Sequence, residues 1–234
     1  TKDCHILTMY KYKIFNNIAD DGINVLKSHN FIIDEINPEA ILLRSKVLSC
    51  KDFNKSLHCI GRAGAGTNNI PINDATKKGI VVFNTPGANA NAVKELVVCG
   101  LLLSSRGIIQ GNNFSQTLVG LDTNSLNTAM EEQKKIFKGS ELKGKTLGIV
   151  GLGSIGSLVA QTAHSMGMNL IGFDPHISID SAWRLPKEVE KAESLETLLS
   201  MSDYVSLHVP LVEATQNLLS KDKLKHCKRG TKLI

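Results

Sequence analysis

Residues Thr146 to Ile177 read TLGIVGLGSIGSLVAQTAHSMGMNLIGFDPHI and contain the pattern that decides the fold. An apolar run leads into glycines at positions 151, 153 and 156, then an amphipathic segment, then a second apolar run that ends at Asp174. This order is typical of a strand, a tight turn, a helix and a second strand. In that context the G-x-G-x-x-G spacing predicts a site for the phosphates of a dinucleotide.

Each glycine has a separate physical role in such a site. Gly151 permits the tight turn, Gly153 lets backbone amides approach a pyrophosphate, and Gly156 allows the helix to pack closely on the sheet. The helix N-terminus, with its unpaired N–H groups, binds the phosphates. Asp174 accepts hydrogen bonds from the adenosine ribose and repels a ribose phosphate, which favours NAD over NADP. A glycine-rich turn in an unrelated α/β protein is the alternative.

Composition limits the class of protein. The chain has 234 residues, 42% hydrophobic and 21% charged, which suits one large or two small globular domains. No apolar run approaches the roughly 18 residues that span a membrane, and the N-terminus lacks a signal-like pattern, so we expect a cytoplasmic protein without a membrane partner. Five scattered cysteines without a C-x-x-C pair indicate reduced thiols and give zinc no support.

The net charge of +5 suits either a nucleic acid or an anionic metabolite. Basic residues are dense only in KDKLKHCKRGTK, residues 221–232, which is typical of a solvated helix and turn. We identify no aromatic-rich basic stripe of the kind that single-strand binders use, so we expect no nucleic-acid partner.

Short apolar runs alternate with helical patterns along the chain and predict parallel sheets covered by helices. Strands are predicted in the runs at 5–10, 31–36, 40–46, 80–83 and 203–210, with helices at 15–30, 89–108, 194–202 and 220–228. Residues 110–128 are polar and glycine-punctuated, so we expect a loop or a poorly ordered insertion there. The sequence stops at TKLI, which looks like the start of a strand and suggests an incomplete second domain.

Five motifs together, VGLGSIG, GFDP, GRAGAGTNNI, FNTPGANANAVKEL and SLHVPL, resemble the D-isomer-specific 2-hydroxyacid dehydrogenases from about Ala40 onward. The resemblance implies two Rossmann-like parallel-sheet domains with a cleft between them: a flavodoxin-like substrate domain at 1–88 and a truncated NAD-binding domain at 89–234. It also implies a homodimer joined through the cofactor domain.

The family pattern assigns roles to individual residues. It places the substrate carboxylate on backbone amides of the Gly64–Gly66 loop, with Ala65 also near the nicotinamide. The substrate-binding residues implied by the resemblance are Arg44, Ser45, Lys46, Ala65, Gly66 and Asn89. The implied cofactor-binding residues are Ala65, Gly151, Gly153, Ser154, Ile155, Gly156, Asp174, His208, Val209, Pro210 and Thr215. Taken alone, His208 would more often be a packed core histidine.

Two cations at Arg44 and Lys46 suit a phosphorylated substrate. The resemblance therefore implies oxidation of 3-phosphoglycerate to 3-phosphohydroxypyruvate, the first step of serine biosynthesis. The family's substrate-orienting arginine and its acid–base pair are expected beyond Ile234. Two alternatives remain: a hydroxypyruvate, glyoxylate or D-lactate reductase of the same family, and a truncated, inactive NAD-binding module.

Overall fold

A computed structural model describes residues 8–234 and divides the chain into two compact units, the first ending at Asn89 and the second beginning at Ala90. Positions 5–7 of the first predicted strand lie outside the described residues, and the first described strand begins at Tyr10. None of the helices in residues 8–234 is long and apolar enough to cross a bilayer.

The first unit is a five-stranded parallel sheet in the order β2-β1-β3-β4-β5. Its strands are β1 (Tyr10–Phe15), β2 (Phe31–Ile33), β3 (Ala40–Leu43), β4 (Cys59–Arg62) and β5 (Val81–Asn84). Its helices are α1 (Asp20–Ser28) and α2 (Ile72–Lys77). The strand order 2-1-3-4-5 is that of flavodoxin-like folds, in which the chain reverses direction across the sheet between β1 and β3.

The core of the first unit forms because central parallel strands are covered on both faces. Ile41 and Leu43 of β3 and Ile60 of β4 are at most 1% exposed. They pack with residues from the connecting segments, including Leu48 and Phe53. This core fixes the carboxyl ends of β3 and β4, and the loops that follow these strands, relative to each other.

The second unit is also a five-stranded parallel sheet, in the order β10-β9-β6-β7-β8, which confirms the predicted α/β fold class with two parallel sheets. Its strands are β6 (Thr146–Val150), β7 (Asn169–Phe173), β8 (Val189–Lys191), β9 (Tyr204–Leu207) and β10 (Lys232–Leu233). Its helices are α3 (Ala90–Ser105), α4 (Ile108–Thr117), α5 (Thr123–Gln133), α6 (Ser154–Ser165), α7 (Ile179–Trp183), α8 (Leu195–Met201) and α9 (Lys221–Leu224).

The loop predicted at 110–128 is wrong, because α4 and α5 occupy most of that segment. The Asp122 carboxylate caps α5 by accepting hydrogen bonds from the backbone N–H groups of Asn124 and Ser125. The Phe114 ring of α4 packs against Phe137, with ring centroids 5.3 Å apart. Capping and this aromatic contact outweigh the weak helix propensity of the polar residues.

Candidate functional site

The predicted glycine turn lies at the carboxyl end of β6. Gly151 has φ +89°, and its N–H donates to the Phe173 carbonyl at 2.9 Å. A Cβ there would lie 2.8 Å from the His208 carbonyl carbon and oxygen. Both the left-handed backbone and the close approach of the segment after β9 therefore require glycine at this position.

The other two glycines differ in what surrounds them. A Cβ at Gly156 would collide with the Gly151 carbonyl oxygen, so this glycine serves close packing of α6 on the turn. At Gly153, the N-cap of α6, no heavy atom of the described residues lies within 4 Å of an added Cβ. Ser154 and Ile155 form the first turn of α6. Gly153 thus leaves open space at the helix N-terminus, where backbone N–H groups favour a phosphate.

Asp174 follows β7 directly and is half-buried beside the turn. Its Oδ2 accepts a hydrogen bond from the Leu152 N–H at 2.8 Å, and its Oδ1 accepts one from the His176 N–H at 2.9 Å. A carboxylate offers about four lone-pair sites, so both oxygens retain capacity for hydroxyl donors. Asp174 therefore braces the glycine turn and can still accept hydrogen bonds from ribose hydroxyls.

The segment after β9, residues 208–210, lies beside the glycine turn. The His208 N–H donates to the Val150 carbonyl at 2.7 Å, and its Nε2 lies 2.9 Å from the buried Ser206 hydroxyl. Burial lowers the pKa of His208, which favours the neutral ring. The half-buried Val209 side chain lies beside Gly151.

Thr215 lies five residues beyond Pro210, and its hydroxyl is within hydrogen-bonding distance of the Pro210 and Val212 carbonyl oxygens. The same hydroxyl accepts a hydrogen bond from the Val212 N–H at 3.0 Å. Thr215 therefore holds the exposed Pro210 turn in place.

The sheet order explains why the glycine turn and the His208 segment meet. The chain runs outward from β6 to β8 and returns with β9 on the opposite side of β6, so the chain reverses between β6 and β9. Ligands of open α/β sheets bind at the carboxyl ends of the strands at such a reversal. The structure brings the predicted cofactor-binding residues of the second unit to this position.

In the first unit, Arg44, Ser45 and Lys46 follow β3 and are exposed. They lie at the corresponding reversal between β1 and β3. The loop is held by Asn16, which follows β1 with φ +68°. Its Oδ1 accepts hydrogen bonds from the Ser45 N–H at 2.9 Å and the Lys46 N–H at 2.7 Å. Sequence reasoning missed Asn16, whose only signal was its place directly after the strand-like run of residues 10–15.

Asn69 also holds the loop of residues 44–46 in place. It is 7% exposed, and its Nδ2 donates to the carbonyls of Lys46 at 2.7 Å and Arg44 at 3.3 Å. Its backbone carbonyl accepts from the Leu48 N–H at 2.9 Å. Asn69 lies three residues after Gly66, so it ties the cationic loop, residues Arg44–Lys46, to the glycine loop that follows β4.

The Gly64–Gly66 loop is braced from β5. The Gly64 N–H donates to the Thr85 hydroxyl at 2.7 Å, and the Asn84 amide donates to the Ala65 carbonyl at 2.7 Å. Within residues 8–234 the backbone N–H groups of Ala65 and Gly66 donate to no acceptor. Two unpaired amides on an exposed loop are suited to binding an anion.

Arg62 is a residue that sequence reasoning missed. It ends β4, and its Nη1 would lie 2.5 Å from a Cβ at Gly64, so the guanidinium packs against the glycine loop. Its Nε is buried and has no hydrogen-bond partner among the described residues. Its position directly before the glycine loop was the available signal. The exposed Asn89 ends the first unit, and the structure shows no side-chain hydrogen bond for it within residues 8–234.

The parallel sheet, the glycine turn at its reversal point and Asp174 define the second unit as a dinucleotide-binding domain of an α/β protein. Residues 112–234 match the NAD binding domain of the D-isomer specific 2-hydroxyacid dehydrogenases, more than half of the chain. The chain belongs to the D-isomer specific 2-hydroxyacid dehydrogenase family, and the cofactor of its second unit is NAD. The open space at Gly153 and the free acceptor capacity of Asp174 fit this cofactor.

Two curated relatives show the range of similarity. The chain is 33% identical over 240 residues to D-3-phosphoglycerate dehydrogenase of Bacillus subtilis, covering 97% of the chain and 43% of that protein. It is 37% identical over 204 residues to hydroxypyruvate reductase of Thermotoga maritima, covering 87% of the chain and 61% of that protein. The chain thus spans about two fifths of the first relative's length and about three fifths of the second's.

Among solved structures, the TT0316 protein from Thermus thermophilus aligns with a TM-score of 0.81 at 23% identity, covering 96% of this chain and 72% of that one. This likeness supports the fold.

Proposed function

We propose that this chain supplies the substrate-binding and NAD-binding parts of an enzyme that oxidises 3-phosphoglycerate to 3-phosphohydroxypyruvate. In this proposal the reaction takes place in the cytoplasm as the first step of serine biosynthesis. The observation that carries it is the cationic loop Arg44–Lys46, held by Asn16 and Asn69 at the reversal point of the first sheet.

The cationic loop favours a phosphorylated substrate. Arg44 and Lys46 are exposed, and neither forms an ion pair with a carboxylate among residues 8–234. Lys46 Nζ lies 5.7 Å from the centre of the Phe15 ring, a contact that orients the ammonium without neutralising it. A phosphate with two negative charges gains more from this pair of cations than the methyl group of lactate does. The Ser45 hydroxyl adds a further donor.

The glycine loop supplies the second part of substrate recognition in this proposal. The Ala65 and Gly66 N–H groups bind the substrate carboxylate, since both lack an acceptor within the described residues. Asn89 provides an amide for the substrate's hydroxyl or carboxylate. The Arg62 guanidinium, which packs against Gly64, adds positive charge close to the carboxylate.

The second unit binds the dinucleotide in this proposal. Amides of Gly153, Ser154 and Ile155 hold the pyrophosphate, and Asp174 accepts the ribose hydroxyls. The His208–Pro210 segment, braced by Thr215, forms the wall beside the adenosine. NAD, when bound, accepts the hydride that leaves the substrate carbon.

The experiment is a comparison of substrates in the complete protein that contains this chain. NADH formation at alkaline pH is measured with 3-phosphoglycerate, D-glycerate and D-lactate. We expect turnover with the phosphorylated acid and a far lower kcat/KM with the other two. Removing a hydrogen bond to a charged group costs about 1.5–3 kcal/mol, so Arg44→Ala should raise the KM for 3-phosphoglycerate about tenfold to a hundredfold.

The matched control is Lys27→Ala, which removes one exposed positive charge from α1, outside the site. It should leave the KM unchanged. Equal KM values in the Arg44→Ala variant and the control would contradict the proposed phosphate contact.

The second candidate is a hydroxypyruvate, glyoxylate or D-lactate reductase. The observation in its favour is the 37% identity to hydroxypyruvate reductase of Thermotoga maritima. It predicts NADH oxidation with hydroxypyruvate, glyoxylate or pyruvate and no preference for a phosphate. NADH binding without turnover of any of these acids would instead favour an NAD-binding module without dehydrogenase activity.

The proposal includes a homodimer joined through the second unit. The apolar residues Leu96, Leu102 and Leu103 of α3 remain exposed, and Leu96 is 71% exposed. Sedimentation velocity should show a dimer that Leu96→Asp shifts toward monomer. A monomeric parent protein would exclude this part of the proposal.

A further inference from the structure

We propose that the second unit carries a separate anion site, for a small phosphate-bearing molecule, at the amino ends of β6, β9 and β10. A cavity of about 220 Å³ lies at this edge of the sheet. Its lining residues include Lys145, Asp203, Tyr204, Lys228, Arg229 and Lys232. The basic segment 221–232 is not part of the dinucleotide site, and its last five residues line this cavity.

The charges around the cavity are strongly unbalanced. Lys145, Lys228, Arg229 and Lys232 face a single carboxylate, Asp203. In residues 8–234 neither Lys145 nor Arg229 forms an ion pair, and Lys228 pairs with Asp203 at 3.2 Å. The cavity therefore has about three positive charges that are not balanced by a carboxylate.

Asp203 is committed to structural contacts. Its Oδ2 accepts the Thr146 N–H at 2.8 Å, and its Oδ1 accepts a hydrogen bond from Lys228. Partial burial opposes ionisation, but the Thr146 N–H and the Lys228 ammonium together hold the pKa of Asp203 below its usual value. The carboxylate thus stays ionised at neutral pH and anchors Lys228 at the rim of the cavity.

Lys232 is a half-buried cation within a strand. It pairs in register with Tyr204 of β9, its Nζ donates to the Tyr204 hydroxyl at 3.1 Å, and the same Nζ lies 4.8 Å from the ring centre. Among residues 8–234 it has no carboxylate partner. A partly buried charge with only neutral partners is costly, and an anion in the cavity would offset that cost. The tyrosine hydroxyl, which accepts from Lys232, can donate its own hydrogen to the anion.

A tight turn fixes the remaining donors. The Thr231 N–H donates to the Lys228 carbonyl at 3.2 Å, and Gly230 has φ +87°. The Thr231 hydroxyl lies 3.1 Å from the Ser202 carbonyl, which ties the turn to the start of β9. Arg229 is therefore presented at the tip of a braced turn, which lowers the entropy cost of binding an anion.

The size of the cavity limits the ligand. Sites for drug-sized ligands measure roughly 300–1,000 Å³, so this cavity suits inorganic phosphate or the phosphate group of a small metabolite. It lies at the opposite end of β6 from Gly151, about 15 Å away for a five-residue strand. The anion site is thus separate from the dinucleotide site within the same unit.

The test is a titration of the protein with inorganic phosphate at constant ionic strength, followed through backbone amide chemical shifts. We expect saturable shifts at Arg229, Gly230 and Thr231. The variant with Arg229→Gln and Lys232→Met should weaken this binding at least tenfold. The matched control carries Lys221→Gln and Lys225→Gln, which remove the same charge from α9 and the residue after it without touching the cavity.

Glycerol 3-phosphate in a parallel titration separates a site for free phosphate from one that also accepts a phosphate ester. The proposal would be overturned if the shifts were confined to Gly151–Gly156 or if no saturable shifts appeared. Equal weakening of phosphate binding in both double variants would also overturn it. Urea unfolding of the Arg229→Gln and Lys232→Met variant checks that the fold is retained. If that variant is unfolded, Arg229→Gln alone, at the exposed tip of the turn, provides the same comparison.

Discussion

Gly153→Ala should separate the stability of the second unit from its ability to bind the cofactor. Gly153 is the N-cap of α6 with φ −71°, a value that alanine adopts freely, and an added Cβ meets no described heavy atom within 4 Å. Alanine is a poorer N-cap than glycine, so the free energy of unfolding should change by about 1 kcal/mol or less. The methyl group would instead occupy the space through which a phosphate reaches the backbone amides.

The cost to binding follows from the hydrogen bonds that are lost. One hydrogen bond to a charged group contributes about 1.5–3 kcal/mol, which predicts NADH binding weaker by about tenfold to a hundredfold. Fluorescence titration with NADH gives the affinity, and urea unfolding of the same sample gives the stability.

Two glycine variants serve as controls. Gly156→Ala should destabilise the fold by about 3 kcal/mol or more, because its Cβ collides with the Gly151 carbonyl oxygen. Gly22→Ala lies within α1 with its nearest contact at 3.7 Å, and should stabilise the protein by about 0.5–1 kcal/mol without changing NADH affinity. A folded Gly153→Ala variant that binds NADH as tightly as the parent would refute the proposed approach of the phosphate.

Three further predictions concern the loop, the histidine and the core. Asn16→Gly removes the acceptor for two N–H groups but keeps the left-handed backbone, so it should weaken 3-phosphoglycerate binding about tenfold. The control Asn30→Gly, also at positive φ (62°), should leave this binding unchanged. Equal affinities of the two variants would exclude a role for Asn16 in positioning the loop of residues 44–46. Because burial lowers the pKa of His208, the unfolded chain takes up a proton near pH 6.5 before the native state does, so stability is full above that pH and declines below it. Urea unfolding at pH 7.5 and 5.5 should show a smaller decline in the free energy of unfolding for His208→Gln than for the unchanged protein. An identical decline in the two proteins would contradict this. Leu198 is fully buried, so Leu198→Ala should lower the free energy of unfolding, measured in urea, by about 2–5 kcal/mol. Met201 is 42% exposed on the same helix, and Met201→Ala should lower it by less than about 1 kcal/mol. Similar losses in the two variants would argue against the packing described.

The dinucleotide turn could be predicted because its requirements are local. The glycine spacing, the apolar strand before it and Asp174 at the end of the next strand are all contained within 29 consecutive residues, and the structure places them together. The parallel sheets could be predicted for a similar reason, since alternation of apolar strands with helices is a property of neighbouring residues.

The helices α4 and α5 could not be predicted in this way. Their asparagine, serine and threonine residues have weak helix propensity, and several side chains bond back to carbonyls in the preceding turn, as Ser115 does to Asn112. What stabilises α4 is a ring contact between Phe114 and Phe137, 23 positions apart, which periodicity does not reveal.

The sequence by itself determined the fold class, the dinucleotide turn and, through family resemblance, which residues to consider for the substrate. Only the tertiary structure decided what holds them. Asn16 reaches Ser45 across 29 positions, Asn69 reaches Arg44 across 25, and Gly151 meets the carbonyl of His208. The physical reason is that strand order, which brings the ends of β1 and β3 and of β6 and β9 side by side, results from burying both faces of each sheet. That burial is a property of the whole unit, and local sequence patterns specify the strands without specifying their order.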